Sequence, residues 1–429
     1  MNLVDGKIIS SNECETVLNT LNERIIKTLS KDKLNPNLVI DACDALSRSF
    51  HESKHIQTLI ELGIPEQMAK EYMIDAKTFL SREYLESRLI NELGANYGSI
   101  YQYKPEFYDK IVIEQTVPLG VLFHIAAGNT DGLPVFTVIE GLLTGNINIL
   151  KLPQEDGGLS VRILLELFHL QPLLTEYVYV FDYSSKDIEP MKKIANLADA
   201  IVVWGGDTAI KAVREMASPN TKIIEWGHKV SFAYISGDQV SDEALESIAD
   251  NICRTNQLLC SSCQGIYIDT DSMNEVYDFC RRFLVILDKV SKKYPVESNI
   301  WIDAQVSLRL CNESIDSVFC DTKIFKDKDC SIIAYTDASL CTSIMYRNCW
   351  VKHLPKNQIM SALRPYKNYL QTVGLICNDN DMQELTELFW KAGAVKITDG
   401  SHMSKMHSRS PHDGEYPLRR YTKIVSSFK

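Results

Sequence analysis

The sequence predicts an α/β fold with a parallel, doubly wound sheet, and three observations carry the prediction. Short apolar runs recur beyond residue 111, at Val121 to Ile125, Asn148 to Lys151, Tyr177 to Phe181, Ala200 to Val203 and Lys222 to Glu225. Helix-length amphipathic stretches separate them, so strands recur every 20 to 30 residues or so, as repeated βαβ units require of a sheet covered on both faces. A second series of the same kind begins near Val230, passes through Ile268 and a long helix from about Met273 to Val290, and alternates on to about Ile397.

Residues 1 to about 105 read as mainly helical, because apolar residues fall at helical spacing in Cys14 to Leu21 and in Glu71 to Leu80. The chain ends in polar, Ser- and His-rich sequence from Ser401 to Gly414. No internal repeat or low-complexity linker interrupts it.

At 429 residues, 45% hydrophobic and 24% charged, the chain has the size and composition of two or three globular domains. No stretch approaches the roughly 18 apolar residues of a membrane span, and Met1 to Lys7 lack an apolar signal region. A soluble, cytoplasmic protein is expected. Its twelve cysteines then stay reduced, with no disulfides. The net charge of −11 disfavours nucleic acid as a partner. It leaves room for an anionic cofactor, since a helix N-terminus and one lysine can hold phosphates locally.

Cys260, in Arg254-Thr-Asn-Gln-Leu-Leu-Cys-Ser-Ser-Cys-Gln-Gly-Ile-Tyr-Ile268, stands between the end of a predicted helix and a strand. Backbone N–H groups and a cleft at such a junction favour thiolate over thiol, which makes Cys260 a candidate nucleophile. Most free cysteines are instead small buried hydrophobes. Cys260 and Cys263 also have CxxC spacing, but no second CxxC or HxxxH pair completes a zinc site, so no metal is expected. The GxGxxG fingerprint is absent, so any dinucleotide must be held in another way.

Four segments in order resemble the aldehyde dehydrogenase superfamily and, within it, the acyl-CoA reductase family of LuxC type. Val117-Pro-Leu-Gly-Val-Leu-Phe-His-Ile-Ala-Ala-Gly-Asn129 is similar to the strand and loop carrying the oxyanion-hole asparagine. Asn148-Ile-Leu-Lys-Leu-Pro-Gln154 is similar to the lysine-bearing strand end, and Val202-Val-Trp-Gly-Gly-Asp-Thr-Ala-Ile210 to the turn and helix under the cofactor phosphates. Glu225-Trp-Gly-His-Lys229 is similar to the glutamate motif and is followed by the Asn256 to Gln264 cysteine loop. Ser410 to Leu418 resembles the LuxC-type C-terminus.

The resemblance implies an aldehyde dehydrogenase-like fold. Its parts would be a helical segment over 1–105 packed on a Rossmann-like cofactor domain over 106–229, a catalytic thiol domain over 230–397, and a segment 398–429 returning to the cofactor domain or an oligomer interface. It also implies NADPH-dependent reduction of an acyl-CoA or acyl-protein thioester to a fatty aldehyde. Cys260 would be acylated, Asn129 would stabilise the oxyanion, and Glu225 would act as general base. Taken alone, Asn129 reads as a cap of the following helix, and a surface strand-end carboxylate is the alternative reading of Glu225.

Lys151 would bond the adenosine ribose, and Gly205, Gly206, Asp207 and Thr208 would hold the pyrophosphate, or else form a plain tight turn. Neutral Gln154 replaces the glutamate with which NAD-preferring relatives repel a 2′-phosphate, so NADP is permitted, and the LuxC resemblance implies that it is preferred. An acyl-protein synthetase partner, a homo-dimer or tetramer, and aldehyde supply for bacterial luminescence follow from the same resemblance. Leu258 and the lack of a Glu-x-Phe-Gly-Pro segment depart from hydrolytic aldehyde dehydrogenases. An NAD(P)-dependent aldehyde dehydrogenase, a glutamyl-type acyl-phosphate reductase and an inactive nucleotide-binding subunit are the alternatives. His124 and His228 are weighted towards structural roles, and His412 and Asp413 are further polar candidates.

Overall fold

The computed structural model describes all residues except 50–52, 62–63, 65, 96, 127–132, 154–155, 238–239, 295–298 and 319–320. Two compact units emerge, one formed by Met1–Gly227 with His407–Lys429 and the other by His228–Met406.

The first unit opens with a hairpin of β1 (Asn2–Val4) and β2 (Lys7–Ile9). Asp5 and Gly6 turn it at φ of 50° and 70°, the left-handed pair that an Asp-Gly hairpin turn requires. Five helices follow, α1 (Ser11–Leu29), α2 (Pro36–Ser49), α3 (Ser53–Glu61), α4 (Glu66–Leu80) and α5 (Arg82–Leu93). A capping box between Ser10 and Glu13 starts α1, which buries Cys14, Val17, Leu18, Leu21 and Ile25 on one face. The first 105 residues are mainly helical, as expected, with the hairpin and β3 (Ile100–Tyr103) as additional strands. Asp-Gly at its turn is a hairpin signal that helical periodicity elsewhere in the segment obscured.

Next come β4 (Val112–Pro118), β5 (Val121–Ile125), α6 (Leu133–Leu143), β6 (Ile147–Lys151), α7 (Leu159–Leu170) and β7 (Val178–Phe181). The series continues through α8 (Ile188–Leu197), β8 (Ala200–Trp204), α9 (Asp207–Met216) and β9 (Lys222–Trp226). The main sheet has the order β2-β1-β7-β6-β5-β8-β9, with β5 to β9 mutually parallel. Direction of travel reverses between β5 and β8, and open α/β sheets bind ligands beyond the carboxyl ends of their strands at such a point.

The second unit contains β10 (Val230–Ile235), α10 (Asp242–Thr255), β11 (Cys263–Ile268), α11 (Met273–Ser291), α12 (Ile300–Asp316), β12 (Lys323–Lys326), β13 (Ser331–Tyr335) and β14 (Asn348–His353). It is completed by α13 (Ile359–Leu363), β15 (Leu370–Ile376), α14 (Asp379–Ala392) and β16 (Lys396–Thr398). Its sheet, β12-β13-β14-β11-β10-β15-β16, is parallel apart from β12. Trp350 is wholly buried against β11 because Gly265 has no side chain; a β-carbon there would lie 2.0 Å from the indole. The chain returns to the first unit with α15 (Pro417–Arg420) and β17 (Thr422–Phe428), which extends a three-stranded antiparallel sheet in the order β17-β4-β3. Among the described residues no helix is long and apolar enough to cross a membrane.

Candidate active site

The cysteine loop is built by a chain of side-chain amides. Helix α10 ends because Asn256 turns left-handed at φ 47°, and Gln257 follows at φ 62°. Asparagine tolerates that region, whereas glutamine pays for it and must be held there. Gln257 Nε2 donates to the carbonyls of Cys263 at 3.0 Å and Gln264 at 3.3 Å, and Gln264 Nε2 donates back to the Gln257 carbonyl at 2.8 Å. The Ser343 amide and hydroxyl both donate to Gln264 Oε1, while Cys263 N–H donates to Asn251 Oδ1. Behind the loop, Met345, Tyr346 and Arg347 are three consecutive left-handed residues, and Tyr346 N–H donates to the Asn256 carbonyl at 3.0 Å.

On this frame a tight turn, with Leu259 N–H bonded to Ser262 Oγ and Ser262 N–H to the Leu259 carbonyl, presents Cys260 at its exposed tip. Two side chains fix the cysteine. Ser231 Oγ donates to its carbonyl at 2.7 Å, and Gln371 Nε2 donates to its Sγ at 3.2 Å. Ser231 and Gln371 lie at the amino-terminal ends of β10 and β15, where both ladders of β10 shift register, a device that re-aims side chains beside functional sites.

The expected helix-end setting of Cys260 is therefore refined: α10 stops five residues earlier, at Thr255, and the sulfur receives a side-chain amide. Cys263 is wholly buried at the start of β11, where burial pushes its thiol up to about 12. The CxxC pair therefore splits into one surface thiol and one core thiol. Among the described residues no group of three or more His, Cys, Asp and Glu could hold a metal ion.

Lys151, Gly205 to Thr208 and Glu225 belong to the first unit and lie at or near the carboxyl ends of strands of its parallel sheet. Lys151 ends β6 with only 7% of its surface exposed. Trp204 ends β8, and Gly205 and Gly206 lead into α9, whose first residues are Asp207 and Thr208. Among the described residues no side chain caps α9 at Gly206, and a β-carbon there would meet nothing within 4 Å. Glu225, in β9, is partly exposed and accepts from Arg214 at both oxygens, from Nε at 2.5 Å and Nη2 at 2.7 Å. Asn129 and Gln154 lie outside the described residues.

His124 is buried between Thr137 Oγ1 and Asn148 Oδ1, each at 2.9 Å, and burial lowers its pKa to about 4. It is a neutral core histidine. His412 packs 4.9 Å from the stacked rings of Trp204 and Trp226, near Asp413. His228 is exposed. Sequence reasoning missed Gln371 and Ser231; the polar Gln371-Thr372 pair inside an apolar strand was the available signal.

The sequence profile of the acyl-CoA reductase (LuxC) family matches residues 34–424. The chain belongs to this family. Among characterised relatives, the long-chain acyl-protein thioester reductase of Aliivibrio fischeri is 23% identical over 434 residues, covering 97% of this chain and 88% of that one. Among solved structures, the bifunctional proline utilization A protein matches with a TM-score of 0.76 at 12% identity, covering 99% of this chain and 45% of that longer chain. A glyceraldehyde-3-phosphate dehydrogenase from Methanocaldococcus jannaschii, solved with NADP, matches with a TM-score of 0.73 at 12% identity, covering 99% and 95%. The fold of this LuxC family member is thus that of the aldehyde dehydrogenases, as the sequence resemblance implied, and it is an oxidoreductase of the reductase kind.

Proposed function

We propose that the protein reduces a long-chain acyl thioester, carried on CoA or on a partner protein, to the fatty aldehyde through an acyl group held on Cys260. The observation that carries this reading is the exposed Cys260 thiol, fixed on a fully braced loop with the Gln371 amide donating to its sulfur. Hydrogen bonds to a charged acceptor are about twice as strong as neutral ones, so this donor favours the thiolate, the nucleophilic form.

Attack of Sγ on the thioester carbonyl forms a new C–S bond and expels the carrier thiolate, which takes up a proton. The carbonyl oxygen is negative during attack and again during reduction. Asn129 and the Cys260 backbone N–H are the donors proposed to face it, and loss of one such donor costs about 3 kcal/mol. Glu225 is the proposed proton acceptor for Cys260 and donor to the leaving group; because Arg214 grips both its oxygens, it must leave that pair to serve.

A nicotinamide cofactor suits the first unit's edge. The uncapped start of the ten-residue α9, open beside Gly206, suits a pyrophosphate, with Gly205, Asp207 and Thr208 completing the turn. The buried Lys151 ammonium at its strand end suits the ribose, and neutral Gln154 is compatible with the 2′-phosphate of NADPH. When bound, NADPH supplies the hydride. Collapse of the reduced carbon centre then returns the electron pair to Sγ and frees the aldehyde.

The sequence resemblance extends the proposal to a cytoplasmic role. Acyl groups would come from an acyl-protein synthetase, and the aldehyde would feed bacterial luminescence. The test is NADPH consumption with tetradecanoyl-CoA by the native chain and by Cys260→Ala, with the product identified by mass. Aldehyde from the native chain alone is expected. Absence of both turnover and an acylated cysteine in the native chain would overturn the proposal.

A further inference from the structure

Helix α12 rests on the second unit through Val306 and Leu310, which pack with Ile324, Ile333, Tyr335 and Ile344. Its opposite face is apolar and bare. Trp301 is 80% exposed, Leu308 64%, Ile315 60% and Val318 77%, and Ala304 and Cys311 between them are exposed as well. Val318 continues the last turn, its N–H bonded to the Ile315 carbonyl. These six positions follow one another at intervals of 3, 4, 3, 4 and 3 residues, the spacing of a helix–helix seam.

We infer that α12 is a homodimerisation surface on which two copies of this chain pack α12 against α12, antiparallel across a two-fold axis. The spacing is symmetric about the helix midpoint, so in that orientation Trp301 opposes Val318, Ala304 opposes Ile315 and Leu308 opposes Cys311 of the second copy. Every pair sets a larger side chain against a smaller one, as close packing needs. Parallel packing would oppose Trp301 to itself and Ala304 to itself, leaving a clash and a gap.

The residues flanking the seam, Gln305, Ser307, Asn312 and Ser314, are all uncharged, so self-association brings no like charges together along it. Trp301, Leu308, Ile315 and Val318 expose most of their surface on one continuous apolar face, and such contiguous patches mark interaction sites. A two-fold contact also suits a self-complementary patch, because each copy supplies both halves of every pair.

The axis passes between Leu308 and Cys311, so the two Cys311 residues lie only about 4.5 Å apart along the helix direction, on helices about 8–10 Å apart. The test combines light-scattering mass with a short bis-maleimide. The native chain is expected to be a dimer or an even multiple of one. Leu308→Asp should halve the particle mass, and cross-linking should yield covalent dimers that persist in Cys260→Ser and vanish in Cys311→Ser. Trp301→Lys repeats the mass measurement should Leu308→Asp lose its fold. A native monomer at micromolar concentration, or an unchanged mass in the folded seam variants, overturns the inference.

Discussion

Gln371 Nε2 donates to Cys260 Sγ at 3.2 Å, although the two residues are 111 positions apart in the chain. Gln371 is itself 7% exposed and held in β15, so the donor is fixed before any substrate arrives. A hydrogen bond to a charged acceptor contributes about 1.5–3 kcal/mol. Gln371→Leu should therefore slow alkylation of Cys260 by iodoacetamide at neutral pH by about tenfold or more. Thermal unfolding should still show a folded protein. An unchanged alkylation rate would mean that the amide does not act on the sulfur.

The Arg214–Glu225 pair is bidentate, but Arg214 is well exposed. Solvent screens an exposed pair of this kind, so Arg214→Ala should shift the urea midpoint little. If Glu225 moves protons as proposed, Glu225→Gln should lower turnover by about 100-fold or more, whereas Arg214→Ala should leave turnover within a few-fold. Equal losses in the two variants would show that the ion pair itself is what matters.

Backbone organisation was legible where a periodic signal is local. The runs around Val121, Asn148, Tyr177, Ala200 and Lys222 each became a parallel strand with ends within about two residues of those read. Asn256 and Gln264 stood out as part of a cysteine motif, but not as the amide ladder that braces it. That ladder depends on Ser343 and Asn251, which only the folded sheet brings to the loop. Gln371 stayed hidden for the same reason, since the polar Gln371-Thr372 pair marks an unusual strand but does not say which loop it meets. The Arg214 grip on Glu225 could not be read, because it is set by side-chain placement rather than by spacing.

Gly265 is held glycine by contact. A β-carbon there would fall 2.0–2.4 Å from three atoms of the buried Trp350 ring, in a strand where the backbone cannot retreat. Gly265→Ala should cost about 1–3 kcal/mol, occasionally more, as overpacked cores do. Trp350→Leu in the same background should recover part of the loss, which a double-mutant cycle by urea unfolding would read as a coupling of at least about 0.5 kcal/mol.

His124 gives the first unit a pH dependence of known sign. Complete burial lowers its folded pKa from 6.5 to about 4, despite the bond to Asn148. Between those values the unfolded chain binds a proton that the folded chain refuses, so unfolding is favoured as pH falls. Its contribution is fully present above pH 6.5 and is lost progressively towards pH 4. At 1.36 kcal/mol per unit, the step from pH 7 to pH 5 removes about 2 kcal/mol through this residue. His124→Asn cannot titrate, so its stability should fall by about 2 kcal/mol less than that of the native chain over the same interval, read from urea midpoints at the two pH values. Parallel losses in the two proteins would show that His124 is already protonated, or already exposed, in the folded state.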